Sequence, residues 1–192
     1  MTRYYTGIGS EEAPQKACDQ AYHAARRLHE LGYTLLSGGA NGMDIAFQKG
    51  CQSVNGKMNI ILPYNGFRNN YKSEKDGIYL FKDLPQNIQT ECDSVCAQLH
   101  PVWNKIGHTA SAVYLKRDVC QVRGINLDIK SDFILCYTED GVEDGTKTTR
   151  QTGGTAMAMR IATPEGIPIF NLYHKDALNR LSIHLKELKV IT

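Results

Sequence analysis

The chain has 192 residues, 42% of them hydrophobic and 22% charged, with a formal net charge of +2. That length suits one α/β domain over residues 1–192 with a sizeable core, and that charge excludes a strong general attraction to nucleic acid or to an acidic membrane surface. No apolar run is long enough to cross a bilayer, Met1–Tyr5 lacks the apolar stretch of a signal peptide, and six cysteines are too few for a disulfide scaffold, so free thiols in a cytoplasmic protein are expected.

Tyr4–Thr6 reads as a short first strand leading into the turn Gly7-Ile8-Gly9-Ser10. Ser10 is a natural helix N-cap and Pro14 is tolerated in a first turn. Ala17, Ala21, Ala24, Ala25, Leu28 and Leu31 then recur at helical spacing, and Gly32 marks the stop. Tyr33–Leu36 is a second strand. The turn Ser37-Gly38-Gly39-Ala40-Asn41-Gly42-Met43-Asp44 follows it, with a helix over Gly42–Lys49 that Gly50 ends. Met58–Leu62 is a third strand, stopped by Pro63. This alternation predicts an α/β fold with a doubly wound, mainly parallel sheet and helices on both faces.

Residues 65–83 are polar and aromatic and read as the start of an excursion from the core fold, spanning about 65–107. Helices are predicted over Gln86–Leu99 and His108–Val122, separated by Pro101 and Gly107. The alternation then resumes. Phe133–Tyr137 is a buried strand, Glu139–Gln151 a polar loop, and Gly153–Ala162 a helix closed by Pro164 and Gly166. Ile167–Asn171 is the last central strand and Ala177–Leu188 a terminal amphipathic helix.

In an open parallel sheet, ligands bind beyond the carboxyl ends of the strands, where strand order reverses. Gly7–Ser10, Ser37–Asp44, Pro63–Tyr71 and Thr138–Thr155 all follow strands and should converge on that edge. Glycine lets a backbone approach a phosphate closely, and a helix behind it aims free N–H groups at the anion. Three such turns predict a nucleotide-type phosphate ligand. Thr152-Gly153-Gly154-Thr155 opens a helix and is the best cradle, with the Thr155 hydroxyl as a further donor. Ser37, Gly38, Gly39 and Ala40 offer a similar one; Asp44 either receives a ribose hydroxyl or base N–H, or caps helix N–H groups. Gly7 and Gly9 with Ser10 form a short G-x-G, which lacks the third glycine and the distant acidic residue of a classical NAD site. Arg117 would pair with a phosphate in a bidentate fork, or belong to a solvated charged helix end. Tyr64, Phe67, Tyr71 and Trp103 lie among Arg68, Lys72 and Lys105, and either stack a base or form a satellite core. Cys92, Cys96 and His100 share one helical face, but a zinc site needs a fourth ligand, so buried thiols and no metal are expected. No cofactor is expected.

Four segments carry a resemblance: Tyr4-Tyr5-Thr6-Gly7-Ile8-Gly9-Ser10; Leu36-Ser37-Gly38-Gly39-Ala40-Asn41-Gly42-Met43-Asp44-Ile45-Ala46-Phe47; Lys116-Arg117-Asp118-Val119-Cys120-Gln121-Val122; and Gly153-Gly154-Thr155 leading to Gly166-Ile167-Pro168-Ile169-Phe170-Asn171-Leu172. They span nearly the whole chain. In them the chain resembles the SLOG superfamily, which joins the Rossmann-like domain of DNA-processing protein A (Smf) with the cytokinin-activating phosphoribohydrolases. The likeness is to small stand-alone, often phage-encoded DprA-like proteins. It implies a Rossmann-like fold, a nucleotide-type ligand at the glycine turns and homo-oligomers.

Three departures bear on activity. The phosphoribohydrolase signature P-G-G-x-G-T-x-x-E places its glutamate at Ala158, and Arg150 and Gln151 stand where its first glycines would be. Relatives often carry Arg after G-I-G-S, where this chain has Glu11. The R-N of the DNA-processing family is Arg117-Asp118 here, exchanging a neutral amide for a charge that repels phosphate. Three functions follow. The first is a binder that captures or senses a nucleotide, cyclic nucleotide or ADP-ribose derivative, in a phage setting a sponge for a defence signal. The second is single-stranded DNA binding in recombination or DNA processing, through Arg68, Lys72, Lys105, Lys116, Arg117 and Arg123. The third is a nucleotide N-glycosidase using Asp44, Glu139 or Glu143, with Asp44 favoured beside its cradle. The missing carboxylate at Ala158 weighs toward a binder rather than an enzyme.

Overall fold

A computed structural model describes residues 2–191. In chain order it contains β1 (Arg3–Gly9), α1 (Gln15–Glu30), β2 (Tyr33–Ser37), α2 (Met43–Gln52), β3 (Met58–Leu62), β4 (Ile78–Leu80), α3 (Gln86–Leu99), α4 (Trp103–Ile106), α5 (Ala112–Arg123), β5 (Ile134–Tyr137), α6 (Ala156–Ala162), β6 (Ile169–Asn171) and α7 (Ala177–Glu187). The six strands form one sheet in the order β4-β3-β2-β1-β5-β6, every pair parallel. Strand order reverses at β1, between β2 and β5, as in a Rossmann-like doubly wound fold.

Alternation along the strands divides the core in two. Tyr5, Leu35, Ile60, Leu62 and Leu135 face α1, α2 and α7. Ile8, Ile61, Ile134 and Cys136 face α3, α5 and α6. A cluster of rings, with Tyr5, Tyr33, Phe133 and Phe170 in edge or stacked contact, fills the first layer. All six cysteines are free. No helix among the described residues is long and apolar enough to cross a membrane.

Several boundaries differ from expectation. Ser10 does not cap α1, which starts after Pro14; its hydroxyl instead accepts from the Glu12 N–H at 3.1 Å within the loop. Gly50 does not end α2. It lies inside the helix because a Cβ there would press on the Tyr22 carbonyl of α1, so the glycine permits the two helices to cross closely. The stretch from 65 to 107, expected as an excursion, supplies β4 to the sheet edge and, through Cys92, Val95 and Cys96 of α3, part of the second core. The helix predicted from His108 begins at Ala112, with Trp103–Ile106 a separate short helix. Residues Gly153–Thr155 form a 3-10 turn ahead of α6. β6, expected as a central strand, is an edge.

Candidate functional site

The carboxyl ends of β1 and β5 lie side by side, with Gly9 paired to Tyr137. The chain leaves β1 through Ser10, whose N–H donates to the Tyr137 carbonyl at 2.9 Å and whose carbonyl accepts from Met43 N–H at 3.2 Å. This joins the first turn to the start of α2. Asp44, in the first turn of α2, then accepts from Gly9 N–H and from Ala40 N–H, each at 3.2 Å. The first two glycine turns thus direct amides at a carboxylate of the chain itself, where an external anion was expected.

Behind Asp44 lies a buried polar cluster supplied by α5. Arg117 donates to the carbonyls of Gly38 and of Ile61, and its guanidinium packs 5.0 Å from the Phe67 ring centre and 5.8 Å from that of Tyr114. Only 6% of it is exposed, so the solvated helix end offered as the alternative does not hold. Asp118 accepts from Gln121 Nε2 at 3.0 Å through Oδ1, while its Oδ2 and the Arg117 Nε are buried without partners. Burial pushes the Asp44 carboxyl up to about 6, against the lowering pull of Arg117 and the backbone N–H groups. Burial raises Asp118 well above the carboxylate range, with the Asp44 charge adding and Arg117 opposing.

The third turn is held differently. Burial tends to raise the Asp140 carboxyl, but hydroxyl donors from Thr149, Thr152 and Thr138 outweigh it and hold the group at about 2. The bonds are 2.7 Å from Thr149, 2.5 Å from Thr152 and 2.8 Å from Thr138. Asp140 therefore ties the loop after β5 to the residue that precedes Gly153. Gly153 has φ +63°, and neither Gly153 nor Gly154 has any atom within 4 Å of the place a Cβ would take.

These parts enclose a cavity of about 440 Å³ at the strand-order reversal. Of the residues expected there, Gly9, Ser10, Ala40, Asp44, Arg117, Thr152, Gly153, Gly154, Thr155 and Phe67 line it. Others stand elsewhere. Gly7 lies within β1, where a Cβ would come 2.8 Å from Leu35 and Phe47; Ser37 bonds to its carbonyl at 2.6 Å. Gly38 and Gly39 sit behind the wall, against Arg117 and against Leu62. Tyr64 and Tyr71 are exposed on the loop after β3, away from the lining. Trp103 is buried in the second core, with Lys116 Nζ 5.7 Å from its ring centre. Ala158 is buried in that same core. Glu143 is bound bidentately by Arg180, both contacts at 2.8 Å, and does not reach the cavity.

Sequence reasoning missed Glu12, Tyr114, Asp118 and Gln121 as lining residues. Tyr114, Arg117, Asp118 and Gln121 are spaced i, i+3, i+4 and i+7, the signature of one helix face. A polar face of that kind on an otherwise buried helix was the available signal. The basic patch weighed for DNA is largely neutralised. Arg68 pairs with Glu11 at 2.7 Å, Lys72 with Asp83 at 2.8 Å, Lys116 with Asp93 at 2.6 Å and Arg123 with Glu165 at 2.5 Å. No group of three or more His, Cys, Asp or Glu side chains among the described residues is arranged to hold a metal. A wider hollow of about 770 Å³ lies at the opposite edge of the sheet, lined by both signs of charge, and contains none of the glycine turns.

The sequence matches no protein-family model and no curated protein. Among solved structures, the fold is similar to that of DNA processing protein A from Helicobacter pylori, described for its single-stranded DNA binding mode. The TM-score is 0.51 at 18% identity, over 100% of this chain and 74% of that one. DNA processing protein A from Streptococcus pneumoniae is matched with a TM-score of 0.48 at 13% identity, over 89% of this chain and 50% of that one. The chain therefore has a DprA-like α/β fold.

Proposed function

We propose that the cavity at the reversal point captures a nucleotide or a nucleotide-derived small molecule, with its phosphate at Thr152–Thr155. The observation that carries this is the state of that turn. It is pinned from behind by Asp140, and its two glycines meet nothing within 4 Å. Packing gives no reason for glycine at Gly154, whose φ is ordinary, whereas an approaching phosphate does. Tyr114, half-buried at the lining, offers an aromatic ring to a base, and Asp44 with Asp118 offers polar partners to a sugar. A cavity of about 440 Å³ is in the range of small-molecule sites.

A second reading, capture of single-stranded DNA, is supported by the fold likeness to a protein whose structure is described for that binding. Against it stand the low net charge and the pairing of Lys72, Lys116 and Arg123 with carboxylates. N-glycosidic hydrolysis would have to employ one of the lining carboxylates, with Asp44 the favoured one, since Ala158 is core and neither Glu139 nor Glu143 lines the cavity.

The test is to incubate the protein with nucleotides, cyclic nucleotides, ADP-ribose forms and short oligonucleotides, wash, denature, and identify what is released by mass spectrometry. Intact nucleotide from the wild type, and none from Gly154→Val, is the expected result. Oligonucleotide retention that falls steeply with salt would favour the second reading, and free base plus sugar phosphate would favour hydrolysis. Release of nothing by the wild type, with no free base in the wash, would overturn all three.

A further inference from the structure

The electrostatics of the cavity mouth raise a difficulty for any anion. Four acidic side chains, Glu11, Glu12, Asp44 and Asp118, line the cavity against one cation, Arg117. That cation is 6% exposed, and its Nη1 donates to the carbonyls of Gly38 and Ile61 while its Nε is buried without a partner. Asp44 is internally bonded to two backbone amides. Glu11 is different, because its carboxylate sits at the mouth and reaches across to Arg68 at 2.7 Å. The ion pair spans two loops, the one after β1 and the one after β3, which stand on either side of the β2 turn.

The loop that presents Arg68 is built for that purpose. Arg68 and Asn69 both have left-handed backbone conformations, with φ 49° and 61°. That conformation is common for Asn but costly for Arg, where it persists only because the surroundings impose it. Here the base of the loop is clamped. Asn70 donates to the Gly39 carbonyl at 2.9 Å and accepts from Gln48 at 2.8 Å, and Gly66 N–H donates to the Asn70 carbonyl at 2.9 Å. Phe67 is buried beneath, with the Arg68 guanidinium 5.6 Å from its ring centre. Arg68 does not itself line the cavity; from this clamped tip it reaches Glu11, which does, and its side chain stays 46% exposed and exchangeable.

We propose that Glu11 and Arg68 form an exchangeable latch at the cavity mouth. Arg68 favours an anionic ligand through its charge at the mouth; Glu11 holds it when no ligand is present and opposes the charge of a phosphate seated at Thr152–Thr155. The latch rests on the nucleotide reading given above. A partly exposed pair of this kind is weak enough to be exchanged for a doubly charged phosphate.

The experiment measures dissociation constants of AMP, GMP, CMP, UMP and ADP-ribose, with the matching nucleosides, for the wild type, Glu11→Gln, Arg68→Gln and the double variant. Both side chains are at the surface, and unchanged melting temperatures without ligand show that the variants fold. Glu11→Gln should tighten nucleotide binding about five- to tenfold and Arg68→Gln weaken it about tenfold, both leaving the nucleosides unmoved. The gain from Glu11→Gln should vanish when Arg68 is also replaced. A gain that persists in the double variant, or an Arg68→Gln protein that binds as the wild type does, overturns the latch while leaving the cavity as the site. Failure of both wild type and Glu11→Gln to bind any of these probes overturns the latch together with the nucleotide reading.

Discussion

Gly38–Gly39 and Gly153–Gly154 are both adjacent glycine pairs ahead of a helix, and their surroundings are opposite. A Cβ on Gly38 would lie 2.7 Å from Arg117 Nη1, 2.7 Å from Gln121 Nε2 and 2.9 Å from Asp44 Oδ2. A Cβ on Gly39 would lie 2.8 Å from Leu62. Around Gly153 and Gly154 there is open space. The first pair is glycine because buried side chains, charged at Gly38 and apolar at Gly39, crowd it; the second is not crowded. In the first turn the N–H groups of Gly9 and Ala40 serve an anion built into the chain, Asp44. The open space at the second is what supports the proposal that a ligand's phosphate sits there.

That contrast is broken most severely at Gly38. Gly38→Ala should destabilise the protein by about 3 kcal/mol, because the new methyl must displace side chains of a buried polar network that has no room to relax. Urea unfolding measures it, and a loss under about 1 kcal/mol would show that the cluster is looser than the contacts require.

The internal anion also has a pH signature. Asp44 titrates at about 6 in the folded chain, against an ordinary value of 3.8. Between those values the folded protein holds a proton that the unfolded chain has released, so stability falls as pH rises from about 4 to about 6 and then levels. The change is about 2–3 kcal/mol for this group, and Asp118 acts in the same direction. Asp140 acts oppositely, but it is held at about 2, so its contribution is lost only below about pH 4. Unfolding midpoints across pH 4–8 should therefore be higher at pH 4.5 than at pH 8, with a shallower slope in Asp44→Asn. A wild-type profile that rises over that range would show that Asp44 is not a buried, desolvated carboxylate.

Much of this was legible in the sequence, for physical reasons. The alternation of short apolar strands with glycine turns and helical periodicity forces a parallel, doubly wound sheet, and the topology alone carries the three turns to one edge. The division of labour among the turns was not legible. Spacing cannot tell whether a turn's N–H groups face outward or find Asp44, because that depends on how α2 docks on β1. Ile78–Leu80 was hidden as a strand because three residues at a sheet edge carry too little pattern. Trp103 was drawn into the site by composition, yet Gly107 and Lys116 place it in the core below α5. Asp140 went unseen because its three threonine partners come from separate parts of a loop, at Thr138, Thr149 and Thr152.

Asp140 tests whether the openness of the third turn is held in place. Asp140→Asn keeps an acceptor but loses the charge that gathers three hydroxyls. The site is partly solvated, so the cost to global stability should be about 1 kcal/mol. Hydrogen exchange should report more than that locally, with faster exchange over residues 138–155 and little change in the strands. Uniform acceleration across the sheet would mean that Asp140 supports the whole fold, and not this turn in particular.

The smallest effect on stability is expected at Gly154, and it separates the two glycine pairs most cleanly. Gly154→Ala meets no atom within 4 Å and requires no unusual φ. Its folded-state cost is therefore within about 0.5 kcal/mol, and the reduced freedom of the unfolded chain makes a slight gain as reasonable as a loss. Nucleotide affinity should fall nonetheless, because the methyl occupies the volume through which a phosphate approaches the turn's N–H groups. Melting curves with and without nucleotide read both quantities from one sample: the midpoint without ligand should stay put, while the ligand-induced rise should shrink. If Gly154→Ala melts normally and still binds as the wild type does, the second pair is as structural as the first, and the open space beside it is not where the phosphate sits.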